Sequence, residues 1–224
     1  MQISEAIKSR ISCRSFLQKK VDKSDLEKIM YLASLSPSGG NIQPWNVYVL
    51  TGKPLKKLTD DVKKNLKAFP KGEMPEYQVY PKDLTETYLQ RRNKCGEDLY
   101  KLLSIERGDK EKRRAQFAKN FEFFGAPVGL FIYINRSMGF PQWADLGIFI
   151  QTIMLQAREF GLHTCAQESW TVWHNLLKNH INPPKELMLF CGMAIGYIDN
   201  DAKVNELRTE RETIKNFTSF LGFD

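Results

Sequence analysis

The residues best placed to do chemistry lie at the two ends of the chain. Arg10-Ile11-Ser12-Cys13-Arg14-Ser15 stands near one end and Arg208-Thr209-Glu210-Arg211 near the other. Two arginines four residues apart with a serine between them make a compact fork for a phosphate, because guanidinium groups present paired N–H donors. Each pair by itself is also, and more commonly, a surface salt-bridge element. A third segment is Ser36-Pro37-Ser38-Gly39-Gly40-Asn41-Ile42-Gln43-Pro44-Trp45. Its glycines let backbone amides approach a ligand, and its serines and Asn41 add side-chain donors. The same residue types build an ordinary helix-to-strand turn.

The usual side-chain chemistries have no signature here. No G-x-S-x-G elbow, no G-x-G-x-x-G after a strand and no P-loop occurs. The histidines at 163, 174 and 180 lack the spacing that puts two metal ligands on one helix face, and the four cysteines form no C-x-x-C. Any chemistry is therefore expected to come from a cofactor, with no metal. The net charge of +7 admits nucleic acid as a partner. The lysines at 53, 56, 57, 63, 64 and 67 are broken by Asp60 and Asp61, which favours a solvated helix face and no nucleic-acid binding.

The elements that must position these residues follow from periodicity. Residues 2–10 read as a short helix. Ser24 to Glu27 is a capping box opening a second helix with Leu26, Ile29, Met30 and Ala33 on its buried face. Asn46–Leu50 is a strand, and Pro54 sits in the first turn of a helix with a Leu55, Leu58, Val62, Leu66 stripe. Residues 68–83 carry three prolines and read as irregular, followed by helices over 84–105 and 110–124. The continuous apolar runs 127–135 and 186–195 read as strands buried on both faces. Between them lie an apolar helix over 141–160, closed by Gly161, and a helix over 171–180. The result is an α+β or three-layer α/β fold of one domain spanning 1–224, with 68–124 as an insertion over one face. The tail, 196–224, has weak periodicity yet carries Phe217, Phe220, Leu221 and Phe223. It is either an arm on a second subunit or a segment packed on its own. No apolar run reaches the ~20 residues of a membrane span and no signal peptide is legible, so the expected compartment is the cytoplasm, with no membrane partner.

Arg10-x-Ser12-x-Arg14 followed by Pro37-Ser38-Gly39-Gly40-Asn41-x-Gln43-Pro44-Trp45 resembles the opening of the FMN-dependent nitroreductase family. Phe124-Gly-Ala-Pro127, the segment Gly161 to Trp170, and Gly196 through Arg208 to Arg211 match further blocks of that family, in order. The resemblance implies a mixed central sheet surrounded by helices, in a homodimer with exchanged C-terminal arms and FMN at the interface. It implies that Arg10 and Arg211 hold the FMN phosphate, helped by Arg208, with Ser12 at the phosphate or ribityl region and Arg14 at the pyrimidine edge. Pro37, Ser38, Gly39 and Asn41 would come from the partner, and the Glu168-Ser169 backbone would approach flavin N5. The implied activity is hydride transfer from NADH or NADPH through N5 to a nitroaromatic, quinone or similar small electron acceptor, by a ping-pong mechanism. A flavin store without turnover, a reductive dehalogenase and a flavin-cleaving enzyme share the pattern. Ile11 departs from the basic residue common there, and Ser169 from a glycine. Tyr77, Tyr80, Tyr88, Phe123 and Phe124 of the inserted region are the candidate substrate wall, with core packing the favoured role for Phe124 and an alternative for Phe123 on the helical 117, 121, 124 spacing, and Arg91 and Arg92 either reach the site or lie on the surface.

Overall fold

A computed structural model describes residues 1–223; Asp224, the last residue of the expected arm, lies outside them. Helix α1 (Ile3–Ser9) and α2 (Lys23–Ser34) precede strand β1 (Trp45–Thr51), which runs directly into α3 (Gly52–Ala68). After a pinned irregular stretch come α4 (Glu86–Leu102) and α5 (Lys110–Ala118), then β2 (Val128–Asn135) and α6 (Phe140–Glu159). Strand β3 (His163–Gln167), α7 (His174–Ile181) and β4 (Leu187–Gly196) complete the core.

The four strands lie in the order β1-β2-β4-β3, and every named pair is antiparallel. The mixed character expected of the sheet reduces to one isolated parallel bridge, Ser12 to Thr164. Central β2 and β4 are buried on both faces, as their apolar runs require. One face carries Val128, Leu130, Ile132 and Ile134 onto α2 and α6. The other carries Phe131 and Tyr133 onto α3, α7 and the 3-10 turns at 119–125 and 168–173. These are three layers with two cores.

Two differences from the expected elements have clear causes. The helix expected over 110–124 stops at Ala118, because Phe123 and Phe124 adopt left-handed backbone at φ 49° and 54°. That turn drops Phe123 flat onto Trp170, ring centroids 4.7 Å apart. The stack lies directly on the sheet, which tolerates it only at glycine. A Cβ on Gly192 would sit 2.3 Å from Trp170, and one on Gly129 would sit 2.6 Å from Phe123. Strand β3, in turn, was not foreseen: its sequence, His-Thr-Cys-Ala-Gln, has one β-branched residue. Pairing with β4 makes it a strand.

The 69–83 stretch is irregular but tied down. Glu73 N–H donates to the Val172 carbonyl at 2.6 Å, and Tyr77 Oη donates to the Phe190 carbonyl at 2.5 Å. Glu76 accepts from Arg136 at 2.5 Å and lies 3.3 Å from His174. By contrast α4 has no fully buried residue; it is held to α5 by the two-pronged Arg113–Glu97 pair. The early tail packs on its own α4, through Glu210–Lys94 at 3.4 Å and Glu212–Arg91. Beyond it Phe217, Phe220, Leu221 and Phe223 are exposed.

Candidate functional site

The two ends of the chain meet at the start of β3. Backbone N–H of Cys13 donates to the Thr164 carbonyl at 3.0 Å, which lays residues 10–16 along the outer edge of that strand. Asn205 then joins the tail to it. Its Oδ1 accepts from Arg14 N–H at 2.7 Å, and its Nδ2 donates to the Ser15 and Asp199 carbonyls at 2.9 and 2.8 Å. Ser15 Oγ also donates to Asp199 at 3.0 Å. Asn205 is 5% exposed, so this amide is fully used in a dry setting.

The clasp gathers arginines from three directions. Arg10 caps the end of α1, and Arg14 follows on the same segment. Arg208 is oriented by donating Nη1 to the Asn205 and Leu207 carbonyls. Arg158, near the end of α6, donates Nε to Ser9 Oγ at 3.1 Å and Nη1 to the Leu162 carbonyl at 2.8 Å. Arg10 and Arg14 flank the Ser12–Cys13 segment that bridges Thr164, Arg158 Nη1 lies 3.0 Å from His163, and Asn205 ties Arg208 to Arg14, so all four lie about one short strand. The arginines that pair with carboxylates are Arg91, Arg113 and Arg136; these four have no such partner among the described residues. Four guanidinium groups so gathered demand an anion.

Sequence reasoning named Arg10, Ser12, Arg14 and Arg208, and the structure brings them together. It passed over Arg158, His163 and Asn205. Arg158 carried a signal, since a basic residue in the last turn of an apolar helix beside Gly161 points at whatever follows. Arg211 is not joined to the group within one subunit. Its Nη1 donates to Thr209 and to the Glu210 carbonyl, between two acids that face α4.

The strand beside the arginines offers a backbone donor. Thr164 turns its carbonyl away from β4 toward Cys13, so alternation points the amide of Ala166 to the same free edge. Thr164 Oγ1 and Ser169 Oγ are both without a hydrogen-bond partner, an unmet polar demand at the two ends of this edge. Burial raises the Tyr77 hydroxyl and the Cys191 thiol, and Glu168 adds to both. Although Glu168 is exposed as a residue, partial burial lifts its carboxyl above the ordinary range. Tyr77 stacks on Phe190 and meets Trp143 edge-on, forming an aromatic wall nearby.

The 36–45 loop lies elsewhere on α6. Ser36 Oγ donates to Thr152 at 2.9 Å and Gly39 N–H to Asp145 at 3.1 Å. Ser38 Oγ accepts from Gln43 N–H at 2.9 Å, and Trp45 stacks on Phe149 at 4.7 Å. Asn41 and Gln43 are both left-handed, at φ 57° and 52°, so the turn is held in a costly shape by these bonds. Pro37 and Asn41 are exposed, and Ser38 is half-buried. Asp145 and Arg158 are 13 residues apart on one helix, which places the loop ~20 Å from the arginine fork of its own subunit.

A three-layer fold with an anion fork beside an open strand edge defines the architecture. The chain belongs to the nitroreductase family, whose profile matches residues 7–197. It is 38% identical over 221 residues to the 4-nitrobenzoate reductase of Pseudomonas putida, covering 97% of this chain and 95% of that protein. It is 34% identical to the nitrobenzene nitroreductase of Ectopseudomonas oleovorans, covering 98% and 96%. Its structure matches that of the FMN and NADPH-dependent nitroreductase NfnB from sphigopyxis sp. strain HMH with a TM-score of 0.95 at 39% identity, over 100% of both chains.

Proposed function

We propose that this protein is an FMN-dependent oxidoreductase that takes electrons from NADH or NADPH and reduces nitroaromatic, quinone or similar electron-poor acceptors. The observation that carries this reading is the gathering of four carboxylate-free arginines about β3, beside its free edge. A flavin mononucleotide needs cations at its phosphate and fixed donors along its ring edge. The family membership and the FMN and NADPH named for the similar NfnB support it. FMN, when bound, supplies the two-electron chemistry that no side chain here provides.

The chain's own work is to hold and to shape. Arg10, Arg208 and Ser12 hold the phosphate, with Arg211 reaching it from the tail. Arg14 places positive charge at the pyrimidine edge. The Glu168-Ser169 backbone faces the N5 side, and Tyr77, Trp143 and Phe190 line the acceptor side and exclude water. The inserted region, 68–124, covers the site within a single domain over 1–224. The working unit is a homodimer: Pro37, Ser38, Gly39 and Asn41 lie too far from their own fork and serve the partner's flavin. Exposed Phe140, at 91%, and the aromatic end of the tail support a second subunit as their cover. Among the described residues no helix is long and apolar enough to cross a membrane. The four free cysteines suit the cytoplasm.

The purified protein should carry or bind flavin, lose its flavin absorbance on anaerobic NADPH or NADH, and regain it on adding a nitrobenzoate. Failure to bind FMN would sink the reading. Binding and bleaching without reoxidation by any nitroaromatic or quinone would leave a flavin store instead.

A further inference from the structure

Strand β4 changes register where the aromatic wall stands. Its pairing with β2 passes from Ile132–Cys191 to Tyr133–Leu189, so Phe190 is an extra residue, a β-bulge. A bulge bends its strand and re-aims the side chain it carries. On the other side of β4, Gln167 pairs with Gly192, so the register carries Glu168 level with Cys191, one residue from the bulge. The wall and the proposed N5 edge therefore share one stretch of β4.

Two neighbouring residues of the irregular 69–83 stretch grip this bulge. Glu76 Oε2 accepts from Leu189 N–H at 3.3 Å, and Tyr77 Oη donates to the Phe190 carbonyl at 2.5 Å. The Tyr77 ring lies 10° from parallel to Phe190 at 5.9 Å and meets Trp143 edge-on at 5.1 Å. The second carboxylate oxygen of Glu76 is used too, accepting from Arg136 Nη2 at 2.5 Å. Arg136 is itself fixed, donating to the Lys185 and Leu187 carbonyls at 2.9 and 3.1 Å. His174 stands 3.3 Å from the same Glu76 oxygen and holds the stretch from α7, where its Nε2 donates to the Met74 carbonyl at 3.0 Å.

The side chain of Glu76 is only 10% exposed. A charge so placed adds little net stability, because its desolvation offsets most of the attraction to its partners. What it supplies is a fixed geometry, with donors from β4 and from the residue after β2 aimed at its two oxygens. An irregular segment has no ladder to set its place, so its backbone stands where such anchors put it. Glu73 anchors the start of this stretch, at Val172 and Asn175. Glu76 anchors the end that carries Tyr77.

We propose that Glu76 is a positioning residue for the acceptor site: by gripping the β4 bulge it holds Tyr77 against Phe190, and so sets how strictly the site discriminates acceptors by size. This rests on the reading of Tyr77, Trp143 and Phe190 as the acceptor wall. Glu76 touches neither flavin nor acceptor; it acts through its neighbour. A wall held in one place excludes bulk, and a loosened one admits it.

The test uses the FMN-loaded full chain with NADPH as donor, and nitrobenzene and 1-nitronaphthalene as one-ring and two-ring acceptors. The ratio of their kcat/KM values, nitrobenzene over 1-nitronaphthalene, cancels effects common to both. In Glu76→Ala this ratio should fall by about threefold or more, with FMN affinity unchanged. Tyr77→Leu should lower it likewise, and adding Glu76→Ala to Tyr77→Leu should change it by less than about twofold, since the two residues act as a unit. A smaller fall in either single variant, or a further fall of about twofold or more in the Tyr77→Leu background, overturns the proposal. If Glu76→Ala does not fold, Glu76→Gln keeps an oxygen for Leu189, removes the charge and carries the same cycle. A wild type that reduces both acceptors, with a ratio unmoved by the Glu76 variants, defeats this inference alone. One that binds no FMN, or reduces neither acceptor, defeats the functional reading and this inference with it.

Discussion

Arg14, Arg158 and Arg208 are each held by a different carbonyl or hydroxyl, so one can be removed without collapsing the others. Arg208→Ala and Arg10→Ala should each weaken FMN by about 1.5–3 kcal/mol, as charge-assisted phosphate bonds do, and leave riboflavin affinity unchanged. Fluorescence quenching by the two flavins separates these outcomes; equal losses for both would move the arginine away from the phosphate. Arg211→Ala tests whether the tail arginine reaches the phosphate in the dimer, since its contacts within one subunit are local. His163 makes a second prediction in flavin-free protein. Burial, then Arg158 and Arg208, push its folded value down to about 4, below the ordinary 6.5, so the unfolded chain takes up the proton first. The stability it protects is whole above pH 6.5 and is lost as pH falls through 4, by about 3 kcal/mol. Urea denaturation of His163→Asn across that range should show a flatter profile than wild type.

At the scale of elements, the Phe123–Trp170 stack on the sheet is the most sensitive joint. Gly192→Ala sets a methyl 2.3 Å from the indole and should cost about 1–3 kcal/mol in thermal or chemical unfolding. Phe123→Ala empties a fully buried site and should cost about 3–5 kcal/mol. Long periodic segments were readable in the sequence: α2, α3 and α6 fall where their apolar stripes put them, as do β2 and β4. The short edge strand was not, because β3 becomes a strand through β4 and through Cys13, both remote in sequence. The break of the 110–124 helix was hidden for a similar reason. Nothing local forbids Phe123 from helix, and only the stack on Trp170 rewards its left-handed turn. In the site, arginine and serine spacing was legible at each end, whereas the joint between the ends lies in one asparagine with no motif around it.

For the whole molecule, the proposed dimer draws on the exposed aromatics at the end of the tail. A chain ending after Asn216 keeps the ion pairs to α4 but loses Phe217, Phe220, Leu221 and Phe223. If the tail covers a second subunit as proposed, sedimentation should show the dimer weakened, and FMN affinity should fall with it. An unchanged dimer with unchanged affinity would place the subunit contact elsewhere, on the exposed side chains of α1 and α6.

The Asn205 clasp joins positions 191 residues apart. On the ribosome, Arg10 and Arg14 emerge long before Arg208. A chain stalled between Gly196 and Arg208 has all four strands but only half of the proposed cradle for the cofactor. Cofactor capture at this site therefore reports synthesis through Arg208: a product cut short before it reaches the cell without the ligand that would protect it, and proteases are left to find it.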